Sequence, residues 1–278
     1  MNKIIEKRSL SENVCLIKFE ARDISKNALP GQFVILRVGE NGERIPFTIS
    51  EYDRVNGTIS IIYQVVGAST KKLDQLKVND YILDVVGPLG RPTNIKGAKK
   101  AIVVGGGVGC AISYPVAKEM HDSGIDVTSI IGFRTKDLII LEKEIESISD
   151  HFYVTTDDGS KGIKGFVTNV VEDLLKKDKY DLVICIGPLL MMKFVSLVTK
   201  KYNTKTIVSM NSIMIDGTGM CGSCRVTVGG QTKFACKDGP DFDGHQVDFD
   251  EVIQRNSIYK TQEKEGYKKT CNLFKGIK

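Results

Sequence analysis

Histidine is scarce, with three residues in a chain of 278. Few side chains are therefore poised for proton transfer near neutral pH, and none is singled out as a general base. No run approaches the ~18 consecutive apolar residues of a membrane span. The opening residues, MNKIIEKRSL, are charged and lack the apolar core of a secretory signal. A cytoplasmic protein is expected. Internal repeats and low-complexity tracts are also missing. Formal net charge is +5, but Lys and Arg are scattered, most of them followed within a few residues by Asp or Glu. That is the pattern of a solvated surface rather than a nucleic-acid footprint. What remains is 41% hydrophobic and 26% charged, the balance of a globular chain long enough for two domains. Seven cysteines, an odd number, read in a reducing compartment as thiols or metal ligands rather than disulfides.

Up to about residue 95 the chain is β-rich. NVCLIKFEA, GQFVILRVG, RIPFTISEY, GTISIIYQVV and NDYILDVVGPLG are short runs rich in Val, Ile, Phe and Tyr, parted by Gly, Asn, Asp and Pro. They predict a barrel or sandwich with one helical piece, STKKLDQLK. From Lys99 strands and helices alternate, which predicts a parallel sheet with crossover helices. CAISYPVAKEMHDSG, LIILEKEIESI, GFVTNVVEDLLKK and LLMMKFVSLVTKKYN are the expected helices.

The run IVVGGGVGCA places Gly105, Gly106, Gly107 and Gly109 between a strand and a helix. Glycines there let backbone approach a pyrophosphate, and the helix N-terminus adds free N–H groups. The match to G-x-G-x-x-G is imperfect, because Cys110 takes the last glycine position. A second strand, YDLVICIGP, ends in Gly187 and Pro188 before another helix. Two such strand ends point to a dinucleotide site. Arg134 closes the next strand and suits a 2′-phosphate or a surface role, while Asp126 begins that strand instead of ending it. NAD and NADP both remain open.

The stretch DGTGMCGSCRVTV, with KFACKDG after it, gives the spacing Asp216-x4-Cys221-x2-Cys224-x11-Cys236. A plant-type [2Fe–2S] site has C-x4-C-x2-C…C, so Asp216 stands in the first ligand place. Iron accepts a carboxylate oxygen, and glycines 217, 219 and 222 suit a loop that wraps a cluster. The same donors also suit structural zinc. Asp216 can instead simply begin a turn, or the thiols can be free. Cys15 and Cys185 fall within apolar strands, Cys110 at the glycine loop and Cys271 in the polar tail.

With the glycine loop behind them, ERIPFTIS and YQVVGASTKKL resemble the ferredoxin–NADP reductase superfamily. The resemblance implies an FAD-binding antiparallel β-barrel at residues 1–97 and an NAD(P)-binding parallel α/β domain at 98–210. A small [2Fe–2S] segment at 211–245 and a tail at 246–278 complete the fold. It implies that Arg44 grips phosphate, that Pro46 and Phe47 pack at the flavin, and that Thr48 sits near its reactive nitrogen as the catalytic hydroxyl. Arg44 lies one residue earlier than the usual signature places it. Gly67, Ala68, Ser69 and Thr70 would cradle the pyrophosphate.

The order of domains, with DGTGMCGSCRV, FDGHQVDFDE, TDDGSKGIKGFVT and IGFRTKDLI, narrows the resemblance to the small subunits of NADH-dependent reduced ferredoxin:NADP oxidoreductase. Sulfide dehydrogenase beta subunits are equally similar, and dihydroorotate dehydrogenase electron-transfer subunits are close. It implies FAD, a [2Fe–2S] cluster and NAD(H) or NADP(H). It also implies a larger partner carrying FAD and [4Fe–4S], with ferredoxin reached through the complex and no nucleic acid or membrane. Electrons would pass between nicotinamide, flavin, cluster and partner in an electron-bifurcating enzyme. Serving dihydroorotate or sulfide dehydrogenase is the alternative, and a non-enzymatic redox sensor is the reading from another class. The tail has too few apolar residues for its own core and is expected to contact the partner.

Overall fold

The structure is a computed structural model describing residues 2–275, with side chains described up to Tyr267. Seven strands form a nearly closed antiparallel barrel. In chain order they are β1 (Asn2–Ser11), β2 (Val14–Glu20), β3 (Phe33–Arg37), β4 (Ile45–Asp53), β5 (Thr58–Gln64), β6 (Tyr81–Ile82) and β7 (Asp84–Leu89). Their spatial order is β6-β1-β2-β5-β4-β3-β7. Helix α1 (Arg22–Asn27) follows β2, and α2 (Ala68–Gln75) follows β5. Ile17, Phe19, Leu36, Ile61 and Leu73 fill the interior.

The second sheet is parallel except at one edge. Its strands are β8 (Lys100–Gly106), β9 (Asp126–Phe133), β10 (His151–Thr156), β11 (Ile163–Lys164), β12 (Leu182–Ile186) and β13 (Thr206–Ser209). Helices α3 (Gly109–Asp122), α4 (Glu142–Glu146), α5 (Val167–Lys177) and α6 (Leu189–Lys201) connect them. The order β11-β10-β9-β8-β12-β13 reverses direction between β8 and β12. Ligands of open α/β sheets bind at such a switch point, outside the carboxyl ends of the strands. Helix α3 stops where the sequence says: Gly124, at φ +75°, follows its end.

Past residue 210 the chain forms the hairpin β14 (Arg225–Val228) and β15 (Gln231–Phe234), the short helix α7 (Ala235–Asp238) and strand β16 (Asp241–Asp243). Strand β16 joins the large sheet antiparallel to β13. The cysteine-bearing segment is thus joined to the large parallel sheet. Helix α8 (Phe249–Arg255) and helix α9 (Lys260–Lys275) close the chain. Phe249 and Val252 of α8 are buried in the core shared with Val208 and Cys236, so the start of the tail packs into the core of the large sheet. The Tyr267 ring of α9 sits 5.3 Å from the Lys71 ammonium of α2.

Several other elements differ from expectation. LIILEKEIESI is mostly not helical: a 3₁₀ turn at Lys136–Leu138 ends on its first residue and α4 covers only five residues. Leu141 caps α4 in the left-handed region at φ 53°, where Ile139 and Ile140 extend. The charged N-terminus is a strand. A further apolar cluster, Val14, Leu16 and Ile62 with Ala111, Ile131, Phe133 and Ile140, packs the barrel against the α/β domain. No helix among the described residues is long and apolar enough to cross a membrane.

At Gly109 an added Cβ would overlap the Ile186 carbonyl oxygen and lie 2.8 Å from Gly187 Cα. Backbone cannot give way as a side-chain tip can. Gly109→Ala is expected to lower unfolding stability by about 2 kcal/mol, as overpacking of a rigid site does. Urea unfolding checks this, and an unchanged midpoint would contradict it.

Candidate functional site

One cleft of about 1720 Å³ opens between the barrel and the carboxyl ends of the parallel strands. A single small-molecule site occupies roughly 300–1,000 Å³, so this one has room for two dinucleotides. The barrel contributes Pro46, Phe47 and Thr48 from β4 and Thr70 from α2. The α/β domain contributes Gly106, Gly107, Gly109, Arg134, Gly187 and Pro188. Residues far apart in sequence thus meet on facing walls.

The glycine-bearing ends of β8 and β12 abut. A Cβ on Gly187 would lie 3.1 Å from Gly106 Cα, and one on Gly106 would overlap the Met191 sulfur. Only glycine lets both backbones present peptide edges to the cleft. Gly105 instead faces Cys110 and Ser113 behind the loop and is not part of the cleft lining.

On the barrel, Phe47 leans on Tyr63, with ring centres 5.9 Å apart at 60°, a geometry that aromatic quadrupoles favour. Tyr63 is fully buried, and its hydroxyl lies 3.3 Å from Asp74 Oδ1. Asp74 in turn pairs with Lys7 at 3.0 Å. Burial, then the Asp74 charge, holds the Tyr63 hydroxyl far above the usual phenol range. The ring under Phe47 is therefore a neutral, anchored platform. Tyr63 was missed in the sequence, although YQVV runs straight into the predicted helix start. Phe33, which pairs with Thr48 across β3 and β4, also lines the cleft.

Gly67 caps α2 without a side-chain acceptor, which leaves first-turn amides for a ligand. Thr70 Oγ1 accepts from the Val66 and Gly67 amides, both at 3.0 Å, which shapes this turn. Ser69 donates to Glu43. Gly67, Ala68 and Ser69 stand beside the cleft rather than in its lining. Arg44 is exposed and also stands outside it.

In the cysteine segment the donors fall into pairs. Cys224 and Cys236 are buried with sulfurs 3.2 Å apart. Asp216 Oδ2 accepts from the Cys221 amide at 2.9 Å, and Oδ1 accepts from Thr218 at 2.9 Å. Among the described residues no three such donors gather round one ion. Structural zinc takes four donors about a single point, a closer gathering than these two pairs. A two-iron cluster takes its protein ligands two per iron, and two pairs fit that demand. Gly217, Gly219 and Gly222 all have positive φ, at 77°, 86° and 68°, which bends the loop round the site.

The pairs differ electrostatically. The Thr218 amide foremost holds Asp216 below the usual carboxylate range. The Ser223 hydroxyl and amide lower the exposed Cys221 thiol. Burial, then Cys224, pushes Cys236 up to about 12. Metal binding must therefore displace a proton from a thiol that resists losing it. The other described cysteines are inert by environment, since burial raises Cys15 to about 11 and drives Cys110 and Cys185 higher still. The Cys271 side chain lies outside the described residues.

Comparison with known proteins now bears on this geometry. Residues 2–93 match the model for the oxidoreductase FAD-binding domain. Residues 211–248 match the iron–sulfur cluster binding domain of dihydroorotate dehydrogenase B. The electron transfer subunit homolog of dihydroorotate dehydrogenase B from Thermotoga maritima is 45% identical, covering 97% of this chain and 95% of its own. The chain belongs to the dihydroorotate dehydrogenase B electron-transfer subunit family. An uncharacterized protein in the adh 3′ region of Clostridium beijerinckii is 48% identical over 95% of this chain and 92% of its own. A chain of the NADH-dependent reduced ferredoxin-NADP oxidoreductase structure, solved in work on flavin-based electron bifurcation, superposes with a TM-score of 0.92. It is 45% identical, over 97% of both chains. The chain is thus an oxidoreductase subunit with an FAD-binding domain and an iron–sulfur domain, as the sequence resemblance implied.

Cys224→Ser or Cys236→Ser is expected to remove iron and the broad visible iron–sulfur absorption while leaving the flavin bands intact. Metal analysis with the absorption spectrum checks this. Retention of full iron by either variant would contradict the pairing.

Proposed function

We propose that the chain is the small subunit of an electron-bifurcating, NADH-dependent reduced ferredoxin:NADP oxidoreductase, joined to a larger flavoprotein carrying FAD and [4Fe–4S]. The observation that carries this reading is the shared cleft. Its barrel wall holds Phe47 and Thr48, its sheet wall holds the glycine ends of β8 and β12, and its rim runs through Met210 and Met214 into the cysteine segment. The likeness to the ferredoxin-NADP oxidoreductase chain supports it.

In this reading the glycine ends and the α3 N-terminus bind the nicotinamide dinucleotide, with Arg134 at its ribose-phosphate end. Phe47, on its Tyr63 platform, fixes the flavin plane. Thr48 places a hydroxyl at the reactive nitrogen, and the α2 N-terminus takes the pyrophosphate. Arg44 reaches phosphate only from the outer rim. Asp216, Cys221, Cys224 and Cys236 hold the cluster. A bound flavin converts between the two-electron chemistry of a hydride and the one-electron chemistry of a cluster. The residues here supply position, exclude water and tune potential. No proton shuttle is needed, in keeping with three histidines. The exposed Ile258 and Tyr259, between α8 and α9, are the apolar surface that the tail offers a partner.

Produced together with the large subunit, the chain is expected to let NADH and reduced ferredoxin jointly reduce NADP⁺. Turnover with dihydroorotate instead would reassign the partner; the family model over residues 211–248 keeps that second reading in view. Asp216→Cys is expected to keep the cluster but shift its reduction potential, because ligand identity sets the potential. A redox titration giving an unchanged potential would remove Asp216 from the ligand set.

A further inference from the structure

Asp241 has no place in the chemistry above, yet its surroundings are exacting. It opens β16, three residues beyond the end of α7, the helix that carries Cys236. Its Oδ2 accepts from Thr93 Oγ1 at 2.6 Å. Its Oδ1 is sealed from solvent, while the residue as a whole keeps partial exposure. Burial raises its carboxyl to about 6, with Thr93 and Ser209 opposing. A buried carboxylate held only by neutral hydroxyls is costly, and a well-packed apolar side chain would avoid the cost. Stability alone does not account for an acid here.

The contacts converge on one junction. Thr93 extends from the end of the barrel. Its amide donates to Pro30 O at 3.0 Å, and its hydroxyl fills the space that a Cβ on Gly31 would take. Gly31 has φ +87°, so the barrel is shaped to admit Thr93. Ser209, the register partner of Asp241, ends β13 and lines the cleft with Pro240. The Arg91 amide donates to Gly239 O at 2.6 Å, and the Met210 amide to Pro240 O at 2.8 Å. A Cβ on Gly90 would lie 2.9 Å from Pro240 Cδ. The barrel, the sheet and the cluster segment therefore meet at residues 239–241.

We propose that Asp241 is a positioning residue for electron transfer: its bond to Thr93 fixes the Cys224 and Cys236 half of the cluster site at a set distance from the flavin wall of the cleft. The proposal rests on the cluster site assigned above. Electron tunnelling falls steeply with separation, so a latch between the two sites acts on the flavin-to-cluster step and leaves hydride transfer alone. The lever is short, because Cys236 lies five residues before Asp241 and Pro240 already lines the cleft.

The test compares Asp241→Ala, Asp241→Asn and Thr93→Val in the loaded full chain, kept free of oxygen. Two readouts are taken. Rapid mixing with NADH follows flavin bleaching and cluster bleaching separately. Hydrogen exchange follows the amides of residues 235–243 and 91–93, in loaded and in cofactor-free chain. Asp241→Ala and Thr93→Val are expected to slow cluster bleaching roughly tenfold, as small misplacements do, with flavin bleaching unchanged and junction exchange faster. Asp241→Asn, which keeps an acceptor for Thr93, is expected to restore both. Native exchange and native cluster bleaching in Asp241→Ala and Thr93→Val would overturn the proposal, as would equal slowing of both bleaching steps. A native chain that carries no iron would overturn the cluster assignment and the proposal with it, an outcome distinct from a loaded chain indifferent to the substitution.

Discussion

The pairing of β16 with β13 is the constraint on which the rest depends. Three register pairs, Ile207 with Asp243, Val208 with Phe242 and Ser209 with Asp241, draw the cysteine segment into the nucleotide-binding sheet. Without them the segment would be an appendage joined by loops. With them, Phe242 and Cys236 share a core with Val208, Met210 and Met214, and with Phe33 and Ile35 of the barrel. A Cβ on Gly217 would lie 2.6 Å from Ile35 and 2.7 Å from Leu89, so the cluster loop also rests directly on the barrel. Dinucleotide cleft, flavin wall and cluster loop are held as neighbours by packing rather than by tether.

This arrangement divides the chemistry sensibly. A hydride carrier and a one-electron centre cannot exchange electrons directly, and the group between them must face both. The cleft offers a wall to each dinucleotide, and its rim passes into the cysteine segment. The paired donors add a second level of order. In the outer pair Asp216 is half-buried and Cys221 exposed, and both are stabilised in their charged forms by loop amides and Ser223. The buried pair is dry, with Cys236 resisting ionisation. A cluster held by these four residues, as proposed, would meet unlike surroundings at its two ends.

Much of this was legible in the sequence because the signals are local. The glycine run and the second Gly-Pro strand end each sit within a dozen residues and the cysteine spacing within about two dozen, and the structure brings the first two to one cleft. The alternation from Lys99 onward gave the parallel sheet, since buried strands and amphipathic helices carry distinct periods. The failures have physical causes too. Strand β1 was hidden because Lys3, Glu6, Lys7 and Arg8 interrupt its apolar residues, and only Ile4 is fully buried. The hairpin β14–β15 was passed over although Gly229 and Gly230, at φ 57° and 74°, form the two-residue turn that RVTVGGQTKF spells out. Strand β16 and the Asp241 junction were not legible, because they are set by partners more than thirty residues away at Ser209 and across the chain at Thr93. Arg44 is exposed and outside the cleft lining, a placement its position in the motif does not reveal.

The most direct measurement is the visible spectrum of the chain purified without oxygen, with iron, zinc and flavin analysis, before and after adding NADH. A flavin envelope over broad iron–sulfur absorption, two irons per chain and bleaching of both by NADH is the result this account predicts. A colourless chain containing zinc and no flavin would contradict it, and would leave a nucleotide-binding module with a structural metal.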